Sequence, residues 1–185
     1  IWELKKFSKY FNDEIVNVSI KTRKPIRKFD SLEANDIWNV DEKKLIICPK
    51  RTAVLLIGVW RLYPNEIKTD VQKKIVQSII FPVVSKLRAE SAVIIHSPDG
   101  HTIYPDLFNK KHDINLNWTV FLPRKMQTII LFWTLKSKGV NTLIYSGFST
   151  NMSVYESAHG IYYTKIFDNY LQRLLLRDGT SSWVF

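Results

Sequence analysis

One stretch limits the fold more than any other: an apolar strand, Thr142 to Tyr145, that runs into Ser146-Gly-Phe-Ser-Thr-Asn-Met-Ser-Val154. A strand, a tight glycine turn and a predicted helix in that order form the corner of a parallel α/β unit. Its mate is Thr52 to Gly58, TAVLLIG, followed by Val59-Trp60. An unbroken apolar run of this kind fits a central strand covered on both faces. Ligands of parallel sheets bind at the carboxyl ends of the strands, where helix N-termini present free N–H groups. The two stretches therefore outline a site between Gly58 and Ser153, with Ser149, Thr150 and Trp60 at its rim.

The remaining chain is consistent with that architecture. Residues 1–44 read as an N-terminal extension packed on the main domain: a short helix carrying Trp2, Leu4, Phe7, Tyr10 and Phe11, then a strand from Ile15 to Ile20 broken at Pro25, then a polar loop over 29–44. Residues 45–185 read as the α/β domain, beginning with a short strand at Leu45–Cys48. A helix is expected from Thr69-Asp70 to about Arg88, with apolar tracks at Val71, Ile75, Ile79, Val83 and at Val76, Ile80, Leu87; Pro82 should kink it. A second central strand, Ala92–Ile95, ends in His96-Ser-Pro-Asp-Gly100, and 97–117 reads as a long polar connection. A helix over Lys125–Lys138, the strand to Tyr145, a helix over 150–167 and a last strand, Leu171–Leu176, complete the count. Alternation at this spacing predicts a three-layer α/β/α domain with a mainly parallel central sheet, of Rossmann-like topology.

Charge and cysteine content narrow the function classes. A net charge of +10 favours anionic partners, and the densest basic run is Lys21-Thr-Arg-Lys-Pro-Ile-Arg-Lys28. No helix-turn-helix, zinc-finger or RRM pattern accompanies it, so the run reads as a solvated edge, with a basic polyanion-binding module kept as an alternative. Cys48 is the single cysteine, so no internal disulfide can form; with Ile46 and Ile47 beside it, it reads as a structural thiol in a cytoplasmic protein. The longest apolar run, Ile79–Val84, is far too short to span a bilayer.

Three stretches together, TAVLLIGVW (52–60), GVNTLIYSGFSTNMSV (139–154) and LLLRDGT (174–180), resemble the isochorismatase-like, or cysteine hydrolase, family over about residues 45–180. The resemblance implies a hydrolase fold whose active members use an Asp–Lys–Cys set to cleave amides, carbamoyl groups or a vinyl ether. A cysteine at a helix N-terminus has its thiolate favoured, an aspartate shuttles the proton, and turn N–H groups, here near Ser149 and Ser153, hold the oxyanion. It also implies a non-proline cis peptide close to Ser149, and oligomers formed through the helices flanking the sheet.

Against that pattern the position of the Asp is Gly58 and that of the Cys is Ser153. The Lys falls near Val120-Phe121, with Lys125 the nearest lysine. An unassisted serine hydroxyl stays protonated at neutral pH. The leading expectation is thus a catalytically degenerate protein of this fold, a binding or scaffolding subunit that takes a small amide or acid and pairs with itself or with a relative. The alternative is a hydrolase cleaving C–N or ether bonds through an altered site. His96, Asp99 and His101 follow the second central strand on the expected pocket side. Asp99 and His101 have the Asp-x-His spacing of a weak metal pair, but with no third ligand close by, no metal and no cofactor are expected. Asp178 reads as a turn-former beside Arg177.

Overall fold

The computed structural model describes residues 16–25, 38–60, 67–167 and 169–181. The chain forms two compact units, Ile1–Cys48 and Pro49–Phe185. In the first, β1 (Val16–Pro25) pairs antiparallel with β2 (Trp38–Ile47), from Val16 opposite Ile47 to Pro25 opposite Trp38. The expected loop at 38–44 and the short strand at Leu45–Cys48 are therefore one long strand. The expected helix around Trp2–Phe11 lies outside the described residues.

The second unit carries a five-stranded parallel sheet in the order β5-β4-β3-β6-β7. These strands are β3 (Thr52–Ile57), β4 (Val93–Ser97), β5 (Ile114–Asn115), β6 (Thr142–Phe148) and β7 (Gln172–Ser181). Every residue of β3 and of β6 is buried, as their continuous apolar sequences require. Ala53, Leu55, Ile57, Leu143 and Tyr145 meet Leu131 and Leu135 of a helix, Arg124–Ser137, on one face. Alternation turns Val54, Leu56 and Ile94 to the opposite face, on the side of the helical rod made by α1 (Ile67–Ile75), a π turn (Val76–Ile80) and α2 (Phe81–Ala89). The helix Arg124–Ser137 is α3. Three layers result.

In the rod the buried stripe is Val76, Ile80, Val84 and Leu87, while Val71 is exposed. Only one of the two apolar tracks is therefore core. Pro82 has no N–H to donate, and the backbone absorbs the loss one residue earlier: the Phe81 N–H reaches back five residues to the Val76 carbonyl, which is the π turn.

Two further segments differ from the sequence reading. The connection after β4 holds a strand, β5, too short for any periodicity to reveal. The last strand runs on to Ser181, with a break in register against β6 between Tyr145 and Gly147, so Arg177-Asp178-Gly179-Thr180 lies within it. Cys48 is partly exposed.

The connection after β4 is tied down by a charged cluster. The Asp113 side chain is fully buried. It accepts from Arg88 of α2 at 2.9 and 2.6 Å and from the Asn109 N–H at 3.0 Å, and lies 3.0 Å from His96 Nε2. Arg88 also donates to the Leu107 carbonyl at 2.8 Å. Burial alone would raise the Asp113 carboxyl, but the bonds from His96, Arg88 and Asn109, with the Arg88 charge, override it and hold the pKa at about 2. Arg88→Leu leaves that carboxylate buried without its cation, and a loss of about 3 kcal/mol in urea unfolding at pH 7 is expected.

Candidate functional site

Sheet order sets where this site lies. From β3 the chain crosses to β4 and β5 on one side, then returns by α3 to β6 and β7 on the other. Carboxyl ends of strands at such a reversal are the favoured ligand position in open α/β sheets. Here the reversal falls between β3 and β6, so Gly58 and the turn after β6 flank it.

The two strand ends approach closely. Gly147 has φ +137°, and a Cβ there would collide with the Ile57 carbonyl of β3. The chain then turns at Ser149, which is buried in the left-handed conformation (φ 59°, ψ 58°), and makes a π turn over Thr150–Val154. The expected cis peptide is not there: the described residues contain none. Nor does a helix continue to Phe167. Ile161 and Tyr162 donate back to the Val154 and Tyr155 carbonyls, closing a loop, and a 3-10 turn, Tyr163–Phe167, follows. A single turn supplies little dipole to Ser153, and the Met152 and Val154 N–H groups both bond the Ser149 carbonyl.

An acid is nevertheless present, carried by the neighbouring strand. The Ile57–Ser97 register places the end of β4 beside the end of β3, and the Gly58 N–H donates to the Ser97 carbonyl at 3.0 Å. Two residues on, Asp99 and Gly100 take positive φ in a turn closed by His101 N–H to Pro98 C=O at 2.9 Å. Asn117, just past β5, pins this turn: its Oδ1 accepts from Gly100 N–H at 2.8 Å and its Nδ2 donates to the His101 carbonyl at 3.0 Å. The Ser153 side chain lies close enough to the Asp99 carboxyl to act on its titration. Burial lifts the Asp99 carboxyl above its ordinary range, against the opposing pull of Ser153 and of the His101 charge.

At Gly58 (φ +65°) a side chain would sit in strained left-handed backbone and tight against its neighbours. A Cβ there would lie 3.2 Å from the Phe148 carbonyl, 3.2 Å from Cζ3 of Trp60 and 3.8 Å from Oδ2 of Asp99. The Trp60 ring lies over His101 with centroids 4.4 Å apart, and Trp60 bridges to Ile103. Gly58, Trp60, Asp99, His101 and Ser153 thus form one cluster, framed by Ser149 and Thr150.

Other sequence candidates are elsewhere or engaged otherwise. His96 is fully buried and turned to the α1–α2 layer, against Asp113 and the edge of Phe108. Lys125 is exposed in the first turn of α3, and Val120 and Phe121 are exposed in the 3-10 turn Asn117–Phe121. Arg177 and Asp178 pair with each other at the surface, 3.1 Å apart. Among the described residues no three His, Cys, Asp or Glu side chains converge as a metal site would require.

Sequence reasoning missed a buried pair beside the site. Ser97 Oγ and His159 Nδ1 are 2.8 Å apart, both enclosed. Burial depresses the imidazole to a pKa of about 4, the Gln127 backbone offsetting this only in part.

Two solved structures share this arrangement of strands and helices. One is an isochorismatase from Pseudomonas putida, 17% identical, TM-score 0.51, covering 74% of this chain and 75% of that one. The other is a cysteine hydrolase from Pseudomonas syringae pv. phaseolicola, 18% identical, TM-score 0.53, covering 75% of this chain and 76% of that one. The fold is isochorismatase-like. No protein-family model matches the sequence, and no curated protein matches it either. Within that fold, this chain carries Gly58 after β3, Asp99 after β4 and Ser153 after β6 at the strand ends.

His159 gives a pH prediction. Unfolded, the ring takes a proton near pH 6.5; folded, it resists until about pH 4, so stability is lost as pH falls between those values, by about 3 kcal/mol in all. Asp99, whose pKa is raised, works in the opposite sense, gaining stability as pH falls toward its unfolded value. Urea midpoints of wild type and His159→Gln compared from pH 7 to pH 4.5 isolate the histidine: the wild-type curve should fall more steeply.

Proposed function

We propose that this chain is an isochorismatase-like protein without thiol chemistry, whose Asp99–Ser153 pair recognises a small amide or carboxylic acid. The observation that carries the reading is the Asp99 carboxyl beside Gly58, with the Ser153 side chain close enough to act on its titration. A carboxylate beside a serine can accept its hydrogen bond but is too weak a base to make an alkoxide of it. The His159 imidazole is engaged by Ser97 rather than by Ser153. What the pair offers is a hydroxyl and a carboxyl of raised pKa, a donor–acceptor set matched to an amide or acid group. A binding subunit needs no more.

One observation favours a second reading, hydrolysis by acid–base catalysis. A carboxyl that burial keeps protonated to higher pH can deliver a proton to a leaving oxygen or nitrogen while water attacks. Such a route needs no protein nucleophile, so it survives the loss of the cysteine.

Thermal melting and turnover separate the two. With millimolar nicotinamide or benzoate in excess, Tm of the wild type should rise, and Asp99→Ala should abolish the rise. Turnover of N-carbamoyl amino acids, nicotinamide or isochorismate is expected to be absent in wild type and in Ser153→Cys. Turnover retained in Ser153→Ala and lost in Asp99→Asn establishes the acid–base hydrolase instead, and no Tm shift with any of these compounds overturns the binding reading.

A further inference from the structure

The helix α3 presents a surface that the strand-end site does not use. None of its fourteen residues is acidic, while Arg124, Lys125 and Lys136 lie on it and Lys138 follows. Its outward stripe, Met126, Ile129 and Trp133 at i, i+3 and i+7, is 49%, 46% and 58% exposed. Apolar groups on this scale, bare to water, mark a contact surface.

Rings and cations alternate along it. At the amino end Tyr155 meets Tyr162 at 6.0 Å and Tyr162 meets Tyr163 at 5.3 Å. The Arg124 guanidinium lies 5.8 Å from the Tyr163 ring centroid and donates to its hydroxyl at 3.2 Å. At the carboxyl end Phe132 contacts Trp133 and Tyr170, and Lys136 Nζ is 5.0 Å from the Trp133 centroid. The band follows the helix for roughly 20 Å. Glu156, near Arg124, is an acid at its edge.

From this alternation we propose that the α3 face binds single-stranded nucleic acid, bases stacking on Trp133, Tyr162 and Tyr170 while phosphates pair with Arg124, Lys125 and Lys136. Exposed ring faces accept unpaired bases of any sequence, and adjacent cations follow the backbone. Two other occupants fit less well. A second copy docked through the same patch brings positive charge onto positive charge. A membrane-inserting face keeps its cations at the rim, whereas here they lie over the ring faces within the band.

The test uses the full chain and a fluorescein-labelled oligothymidine of roughly a dozen nucleotides, read by anisotropy. Expected are binding that weakens with salt, duplex of the same length binding less tightly, and about a tenfold loss in Trp133→Ala, the effect of one stacked base. Lys136→Gln should lower the salt slope by roughly 0.7. Both positions are solvent-exposed, and unchanged melting curves confirm folding. Binding unaltered by these variants but abolished by Lys21→Gln with Arg23→Gln and Lys24→Gln assigns the affinity to the N-terminal basic run and overturns the proposal. So does sedimentation with vesicles of equal parts phosphatidylserine and phosphatidylcholine that oligothymidine fails to displace, or a dimer in light scattering that Trp133→Ala dissociates.

Discussion

Everything at the candidate site depends on how tightly β3 and β6 approach at their carboxyl ends. Gly147 meets the Ile57 carbonyl with no space for a side chain, and one residue further along β3 the chain turns through Gly58 at positive φ. That contact fixes how closely the turn bearing Ser153 approaches the end of β3. Both strands are wholly buried, so neither end can shift without disturbing the two helical layers at once. Rigidity in the centre of the sheet is thereby transmitted to two loops that would otherwise be free to drift.

Placement of the acid shows how an α/β sheet can move a functional group sideways. Adjacent parallel strands end at the same level, so a residue just beyond β4 reaches the space beyond β3. Three supports make the arrangement specific: Asn117 holds the turn, Trp60 covers His101, and the Ser97 carbonyl anchors Gly58. On the opposite layer Arg88, Asp113 and His96 secure the same connection from below. Polar groups bonded from several directions hold a loop more firmly than its length suggests.

Much of this was legible in the sequence because buried strands announce themselves. TAVLLI and the run beginning at Thr142 have no polar face, which in a chain of this size points to a parallel sheet between helices, and two solved structures of the fold bear that out. Pro82 predicts a kink in the long helix; the structure shows a π turn just before it, a backbone accommodation that residue identity does not specify. The segment after Val154 misled because Ala158 and Ile161 keep a helical rhythm while the backbone bends back to bond Val154 and Tyr155. Asp99 sat in a plain Pro-Asp-Gly turn, and its closeness to Ser153 follows only from cross-strand register. The approach of His159 to Ser97 depends on the same bend and has no counterpart in helical spacing.

Gly58 carries a consequence for anyone redesigning this scaffold. Placing an aspartate at that position would force an L-residue into left-handed backbone and crowd its first carbon against the Trp60 indole. The Trp60 indole and the Phe148 carbonyl would both have to give way by a few tenths of an ångström. An acid at this strand end is hard to seat, so new activity is more cheaply built outward from the carboxyl that Asp99 already supplies beside it.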